Sequence, residues 1–333
     1  MQENELARLG VFRIPISIPF RQAGGPINVY VIEEDSGILL FDVGIGLERS
    51  QAELTEGLAR TGHGFHEVNR ILISHGHVDH YGAAPWVLDR SGKNIPVLIH
   101  EADAGKVLDS GRPLPSMLMR NSLYLSRLGV PPEVLDAMVG AISREAVTGR
   151  RLGAVAALGE GDIFRCKHVT LEVLSMPGHT PGLCCLYDRE HRLLFSADHL
   201  LEHVSPNPLI ELKADGEPSS FKPLVSYFRS MERLRTLPID LVLPGHGTPF
   251  SQAGAVIRSL YDFYERRQAK LLAALESGPK TVYEAMQELF ASDTSFELFL
   301  MLSETLGNLE VLEEKGRILR GSDDAVIRFR PAR

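Results

Sequence analysis

What this chain has little of narrows its class first. It has three cysteines in 333 residues, Cys166, Cys184 and Cys185, and the last two are adjacent. An odd number with two neighbours makes a poor disulfide framework and suits a reducing compartment. No run approaches the roughly 18–20 unbroken apolar residues of a membrane helix, so no membrane span is expected. The opening MQENELARLGVFRIPI carries acidic side chains early and no apolar stretch leading into small residues. A secretory signal is not expected, and the expected location is the cytoplasm. Positive charge is also short: 35 Lys and Arg stand against 43 Asp and Glu, a formal net charge of −8. That balance weighs against a nucleic-acid partner held by bulk electrostatics. Short-period repeats and low-complexity tracts are missing too. What remains is an ordinary globular composition, 44% hydrophobic, long enough for one large domain or one large and one small.

The patterning is layered α/β. Residues 27–44, INVYVIEED and GILLFDVG, read as two β-branched, apolar strands joined by a turn at Asp35, Ser36 and Gly37. A helix follows over 47–62, with Leu54 and Leu58 at helical spacing and Gly62 as its stop. A short buried strand is expected over 69–74, a helix over 81–92 and a strand over 94–100. Residues of about 101–151 change character to Leu, Met and Arg and read as a helical insertion. Strands resume in HVTLEVLSMPGHT, GLCCLYD, RLLFSAD and DLVLPGHG. From 253 to 333 three helical stretches lead into ILRGSDDAVIRF, two short strands with a turn at Gly321. Three helices and a hairpin is the order of a winged-helix module. The domains are thus expected at 1–252, with the insertion inside, and 253–333.

The chemistry gathers in ILISHGHVDHYG, 71–82. His75, His77, Asp79 and His80 crowd six positions just after a buried strand. Imidazole and carboxylate are ligands for zinc and similar ions. Two histidines one residue apart project the same way from extended backbone. Asp79 and His80, at the turn into the next helix, are placed to address a second position. Three further candidates follow other expected strands: His179 in SMPGHTPG, Asp198 in LFSADHL and His246 in VLPGHG. Glycines beside His179 and His246 permit tight turns and close backbone approach.

These motifs in this order, with FDVG at 41–44, resemble the metallo-β-lactamase-fold hydrolase superfamily over residues of about 10–250. The resemblance implies an αββα four-layer sandwich with metals at one edge. It implies that His75, His77 and His179 hold one ion, that Asp79, His80 and His246 hold the other, and that Asp198 bridges them. Asp42 matches the position whose carboxylate orients the ligand loop. The implied cofactors are two divalent ions, zinc first, with iron or manganese also suited to mixed His/Asp ligands. The implied reaction is attack of a metal-bridging hydroxide on the carbonyl of a small-molecule thioester, ester or lactone, with Asp79 accepting or relaying the proton.

Within the resemblance, the aspartate at 198 points away from true β-lactamases, which usually lack it. His77 points away from di-iron oxygen reducers, which usually carry glutamate there. A metal-dependent ribonuclease or phosphodiesterase and a mono-iron sulfur dioxygenase stay as alternatives. The C-terminal stretch looks like the tail of glyoxalase-II-like hydrolases and of an endoribonuclease-like branch. From Ala253 onward it holds 11 Lys and Arg against 13 Asp and Glu. That is not the basic stripe of a nucleic-acid reader, and packing or homodimerisation is the favoured role. Arg266, Arg267 and Lys270 read as one solvated helix face. In the insertion, Met117, Leu118, Met119, Leu123, Tyr124 and Leu128 form either an apolar wall over the metals or ordinary helix packing. His199 and His203, just past Asp198, read as solvent-facing, with a place facing the site as the alternative. Cys184 and Cys185 read as buried core.

Overall fold

The computed structural model describes residues 3–19, 24–108, 114–145, 150–213, 215–290, 297–323 and 326–332. Parts of the expected insertion, 109–113 and 146–149, lie outside these. Two compact units are present. The first comprises Met1–Gly111, Thr148–Pro206 and Arg233–Val256. Its first sheet runs in the order β1 (Val11–Ile16), β2 (Ile27–Glu33), β3 (Ile38–Phe41), β4 (Val68–Leu72), β5 (Val97–Ile99), β6 (Ala156–Ala157). Strands β1 to β3 pair antiparallel, and β3 to β6 pair parallel. The second sheet contains β7 (Ile163–Arg165), β8 (Thr170–Ser175), β9 (Cys184–Asp188), β10 (Leu193–Ala197), β11 (Leu241–Pro244) and β12 (Phe250–Ser251), laid in the order β12 to β7. Only β10 and β11 pair parallel there.

The central strands β2, β3, β9, β10 and β11 are buried on both faces, and the two-residue period sorts their side chains. On β2 and β3, Ile27, Val29, Val31, Ile38 and Leu40 pack toward α2 (Glu48–Arg60) and α4 (Ala84–Ser91), meeting Leu54, Leu58 and Val87. The alternate residues Tyr30, Ile32, Leu39 and Phe41 join Val173, Cys184, Leu186, Phe195 and Leu243 of the second sheet in one core. Tyr30 and Phe41 both meet Phe195 edge-on, at centroid distances of 5.2 and 6.1 Å. The expected strands and helices of 27–100 and 170–247 are all present. β1 was not expected; Pro15 breaks the strand pattern, and β1 lies at the sheet edge, where proline is tolerated. The remaining helices of this unit are α1 (Glu3–Arg8), α3 (Val78–Tyr81) and α5 (Glu101–Val107).

The second unit joins three stretches, Arg112–Val147, Asn207–Glu232 and Ile257–Arg333. It holds α6 (Leu114–Arg120), α7 (Ser122–Arg127), α8 (Pro132–Glu145), most of α9 (Pro223–Leu234) and of α10 (Ala253–Leu275), α11 (Val282–Leu289), α12 (Leu298–Glu314) and the hairpin β13 (Ile318–Asp323) and β14 (Val326–Pro331). Three helices followed by a hairpin is the expected C-terminal order. Gly321 is not its turn; it sits inside β13 opposite Arg328. Leu118, Leu125, Leu128 and Met138 of the insertion share one core with Leu271, Leu275, Met286, Leu302, Leu309 and Phe329. The insertion and the C-terminal helices therefore form one compact body. Of the residues considered for an apolar wall, Leu118 and Leu128 are spent on this core. Met117 and Tyr124 pack against it, and Met119 and Leu123 are exposed.

Helix α12 is buried around most of its circumference and carries polar side chains inward. Arg267, expected on a solvated face, pairs with buried Glu304 at 2.9 Å and stacks on Phe290; Arg266 and Lys270 are exposed. Glu310 is buried, its Oε2 makes no hydrogen bond, and Arg320 lies 3.4 Å from its Oε1. Burial pushes the Glu310 carboxyl from its ordinary 4.5 up to about 7 against the pull of Arg320. A carboxyl raised in the folded state contributes its stability below the unfolded value and loses it as pH rises through the folded one. Glu310→Gln is thus expected to gain about 3 kcal/mol over the parent between pH 4.5 and pH 8. Urea denaturation at the two pH values checks this; an unchanged difference would contradict it.

Candidate metal centre

Each candidate ligand stands where a strand of the first unit stops. Ser74 and His75 follow β4, His77 precedes α3, and Asp79 and His80 lie on it. His179 lies between β8 and β9, Asp198 follows β10, and His246 follows β11. All seven expected ligands converge. The ligand atoms of His75, His77 and His179 fall within 4.8 Å of one another, as do those of His75, His80 and Asp198, and those of Asp79, His80 and His246. His77 Nδ1 lies 3.0 Å from His75 Nε2 and 2.9 Å from His179 Nε2. Asp198 stands among the rest, 3.4 Å from His80 Nε2 and 3.5 Å from the Nε2 atoms of both His179 and His246. Asp79 Oδ2 is 3.4 Å from His246 Nε2.

The donor set suits divalent cations. Three imidazole nitrogens facing one another cannot all be satisfied by protons, and a cation accepts every lone pair. His80 Nε2, Asp198 Oδ1 and His246 Nε2 are buried and make no hydrogen bond, which marks them as groups awaiting another partner. The far side of several ligands is already fixed. Asp42 Oδ2 takes His80 Nδ1 at 2.7 Å, and its two oxygens accept from the backbone and hydroxyl of Ser74 at 2.8 Å each. The Ser74 hydroxyl is 3.0 Å from His75 Nδ1. His246 Nδ1 faces the carbonyl of Gly25 at 3.3 Å. Such contacts set the tautomer and aim of each ring. Asp42 holds this place in a left-handed conformation, φ 59°, a strained geometry for a residue with a side chain. A Cβ at Gly245 would collide with Asp198, so glycine is required there.

Charge divides the centre. Burial, reinforced by neighbouring imidazoles, pushes His75 well below and His77 to about 3, leaving neutral rings. Burial opposes protonation of His246 as well, but Asp198 and Asp79 raise it to about 10; Asp198 and Asp42 likewise raise His80. Burial would raise the Asp79 carboxyl, yet His80 and His246 bring it down to about 2. Three carboxylates therefore demand positive charge, and protons and metal ions compete for the same nitrogens. His246, raised in this way, holds its proton until pH climbs toward 10. Zinc uptake is expected to release protons and to tighten between pH 6 and 9, by up to about tenfold per pH unit per proton released. Affinity independent of pH over that range, measured with a competing chelator, would contradict this assignment.

Three positions escaped the sequence reading. Asn28 is fully buried in β2 and donates to the carbonyls of Pro244 and Gly247, both at 2.9 Å, gripping the His246 loop. A lone amide inside an apolar strand was its signal. Ser74 looked like the end of a strand, and Asp103 like an ordinary acid in a helix's first turn. His199, expected to face solvent, is buried, and burial together with His179 pushes it to about 3; His203 is exposed as expected. Cys184 and Cys185 are buried, and burial raises both thiols, Cys184 to about 12, so neither is a nucleophile. A small, shallow cleft lined by Leu201, His203, Val204 and Thr248 among others opens beside His246.

Known proteins share these features. The profile of the metallo-beta-lactamase superfamily matches residues 23–246, from the first strands through the last histidine of the centre. A Bacillus subtilis (strain 168) protein named probable metallo-hydrolase YqjP is 29% identical over 312 residues, 92% of this chain and 93% of its own length. The acyl-coenzyme A thioesterase MBLAC2 of Gallus gallus is 27% identical over 245 residues, 69% of this chain and 76% of that protein. The metallo-beta-lactamase family protein TTHA1429 from Thermus thermophilus has a crystal structure that superposes with a TM-score of 0.78 at 28% identity, covering 97% of this chain and 98% of that one. No helix among the described residues is long and apolar enough to cross a membrane. With its two sheets, its strand-end histidines and a profile match over most of its length, the chain belongs to the metallo-beta-lactamase superfamily, a family of metal-dependent hydrolases.

Proposed function

We propose that this protein is a dinuclear hydrolase of small-molecule thioesters, with esters and lactones as related substrates. The observation that carries the reading is the pair of ligand triads, His75–His77–His179 and Asp79–His80–His246, gathered around the single carboxylate of Asp198. Zinc is the first choice of ion, and iron or manganese suits the same donors. Bound ions supply a water that ionises near neutral pH and a Lewis acid for the carbonyl oxygen. The chain's own residues do the rest. Asp42 and Ser74 hold His80 and His75 in their tautomers, and Asn28 steadies the His246 loop. Asp79, ionised above about pH 2, would take the proton of the attacking water and, being too acidic to keep it, pass it to the sulfur of the departing thiolate as the C–S bond breaks, leaving a carboxylic acid and a thiol.

The thioester class is supported by the relative named as an acyl-coenzyme A thioesterase. The excess of acidic residues argues against a long nucleic-acid chain such as RNA. We place the chain in a glyoxalase-II-like branch, acting in the cytoplasm, with a winged-helix-like C-terminal part that serves packing or homodimerisation. The test pairs elemental analysis of protein purified without added metal with turnover of acyl-coenzyme A, ester and lactone panels. About two zinc ions per chain with thioester turnover is the expected result. About one iron and no hydrolysis would sink the reading and make sulfur oxidation the next assay.

A further inference from the structure

We infer that Asp103 is a positioning residue that sets the spacing between the loops carrying His77 and His179. The inference rests on the proposed metal centre but concerns residues outside its ligand set. Asp103 lies in the first turn of α5 and is fully buried, and its carboxylate is engaged by backbone and by Lys106 rather than by a candidate ligand ring. Its Oδ2 accepts the backbone N–H of Gly76 at 2.9 Å, and its Oδ1 accepts that of Gly182 at 3.3 Å. Gly76 stands between His75 and His77, and Gly182 lies three residues after His179. One carboxylate thus ties together two segments that lie 27 and 79 residues away from it in the chain.

Both tied positions are glycines packed against the same helical turn. A Cβ at Gly182 would lie 2.9 Å from Asp103 Cβ and Cγ, and one at Gly76 would lie 2.8 Å from Lys106 Cβ. Any larger residue would push its loop away from the carboxylate. Lys106 Nζ, 3.1 Å from Asp103 Oδ1, balances the charge. A buried carboxylate without such partners would be costly, and with them its hydrogen bonds are short-range and charge-assisted. The joint therefore holds His77 and His179 at their 2.9 Å separation through backbone, from outside the centre. The other triad, Asp79, His80 and His246, is held by different groups, Asp42 and the Gly25 carbonyl. Asp103 should accordingly act on one ion position and not on the other.

Zinc titration of the full chain against a chromophoric chelator tests this, with Asp103→Asn and Asp103→Ala beside the parent. Asparagine keeps the size but presents an amide where one loop N–H needs an acceptor. One zinc equivalent is expected to weaken by about 10–100-fold, as loss of an outer partner commonly does. The other should stay within about twofold, with far-UV circular dichroism unchanged. If the alanine variant does not fold, the asparagine variant alone is read. Parent-like affinity for both equivalents, or equal weakening of both, overturns the assignment. A parent that takes up no zinc overturns the metal centre with it, whereas a zinc-loaded parent and an unchanged variant overturn only the role of Asp103.

Discussion

Asp198→Ala is expected to lower thioester hydrolysis by about 10³-fold or more and to release bound zinc in step. Its oxygens lie 3.4 to 3.5 Å from His80, His179 and His246, so one side chain stands against members of both triads. Burial would raise its carboxyl, yet His246 and His80 hold it well below the usual range, so the folded protein keeps a full negative charge there. Alanine removes that charge from among the imidazoles and leaves a space that water alone must fill. Zinc content and steady-state rates measured on the same preparation decide the matter. Undiminished turnover would sink the bridging role, and so would lost turnover with both zinc ions retained at parental affinity.

The second large effect is expected at Asp79. Asp79→Ala should reduce kcat by about 10²–10⁴-fold, the range of a proton-transfer group, while KM moves by less than about threefold. The carboxylate lies beside His246 and is ionised across the working pH range, so its removal withdraws a proton acceptor more than a substrate contact. Asp79→Asn keeps the shape and should be nearly as damaging. A kcat within about threefold of the parent, for either variant loaded with zinc, would rule out the relay. A rise in KM with kcat preserved would instead move Asp79 to substrate binding.

Much of the candidate centre was legible because its candidate ligands are local or sit at strand ends. HGHVDH packs four of them into six residues, and His179, Asp198 and His246 each follow an apolar strand with turn residues beside it. The supports were not legible. Asp103 looks like any acid opening a helix, and its meaning depends on glycines far along the chain. Asn28 means something only once β2 is seen to run beside the His246 loop. The strands announced themselves as short apolar runs between turn residues, and only the fold sorts Ile38 and Leu40 onto one core and Leu39 and Phe41 onto the other. The insertion was harder for a physical reason. An apolar helix face records that it is buried but not against what, and Leu118 and Leu128 turned out to belong with Leu309 and Phe329.

That shared core has a consequence for biosynthesis. Leu118, Leu128 and Met138 leave the ribosome well before α11, α12 and the closing hairpin exist to cover them. At about 5–20 residues per second, the wait from residue 138 to residue 329 is on the order of ten to forty seconds. All of the first unit's strands, β11 and β12 included, are made in time to pair within that interval, while the insertion stays an exposed apolar segment in need of protection. A stop codon near residue 252 would preserve every candidate metal ligand, yet it would leave those leucines permanently uncovered. The chain's last eighty residues are therefore a condition for the solubility of a segment made long before them.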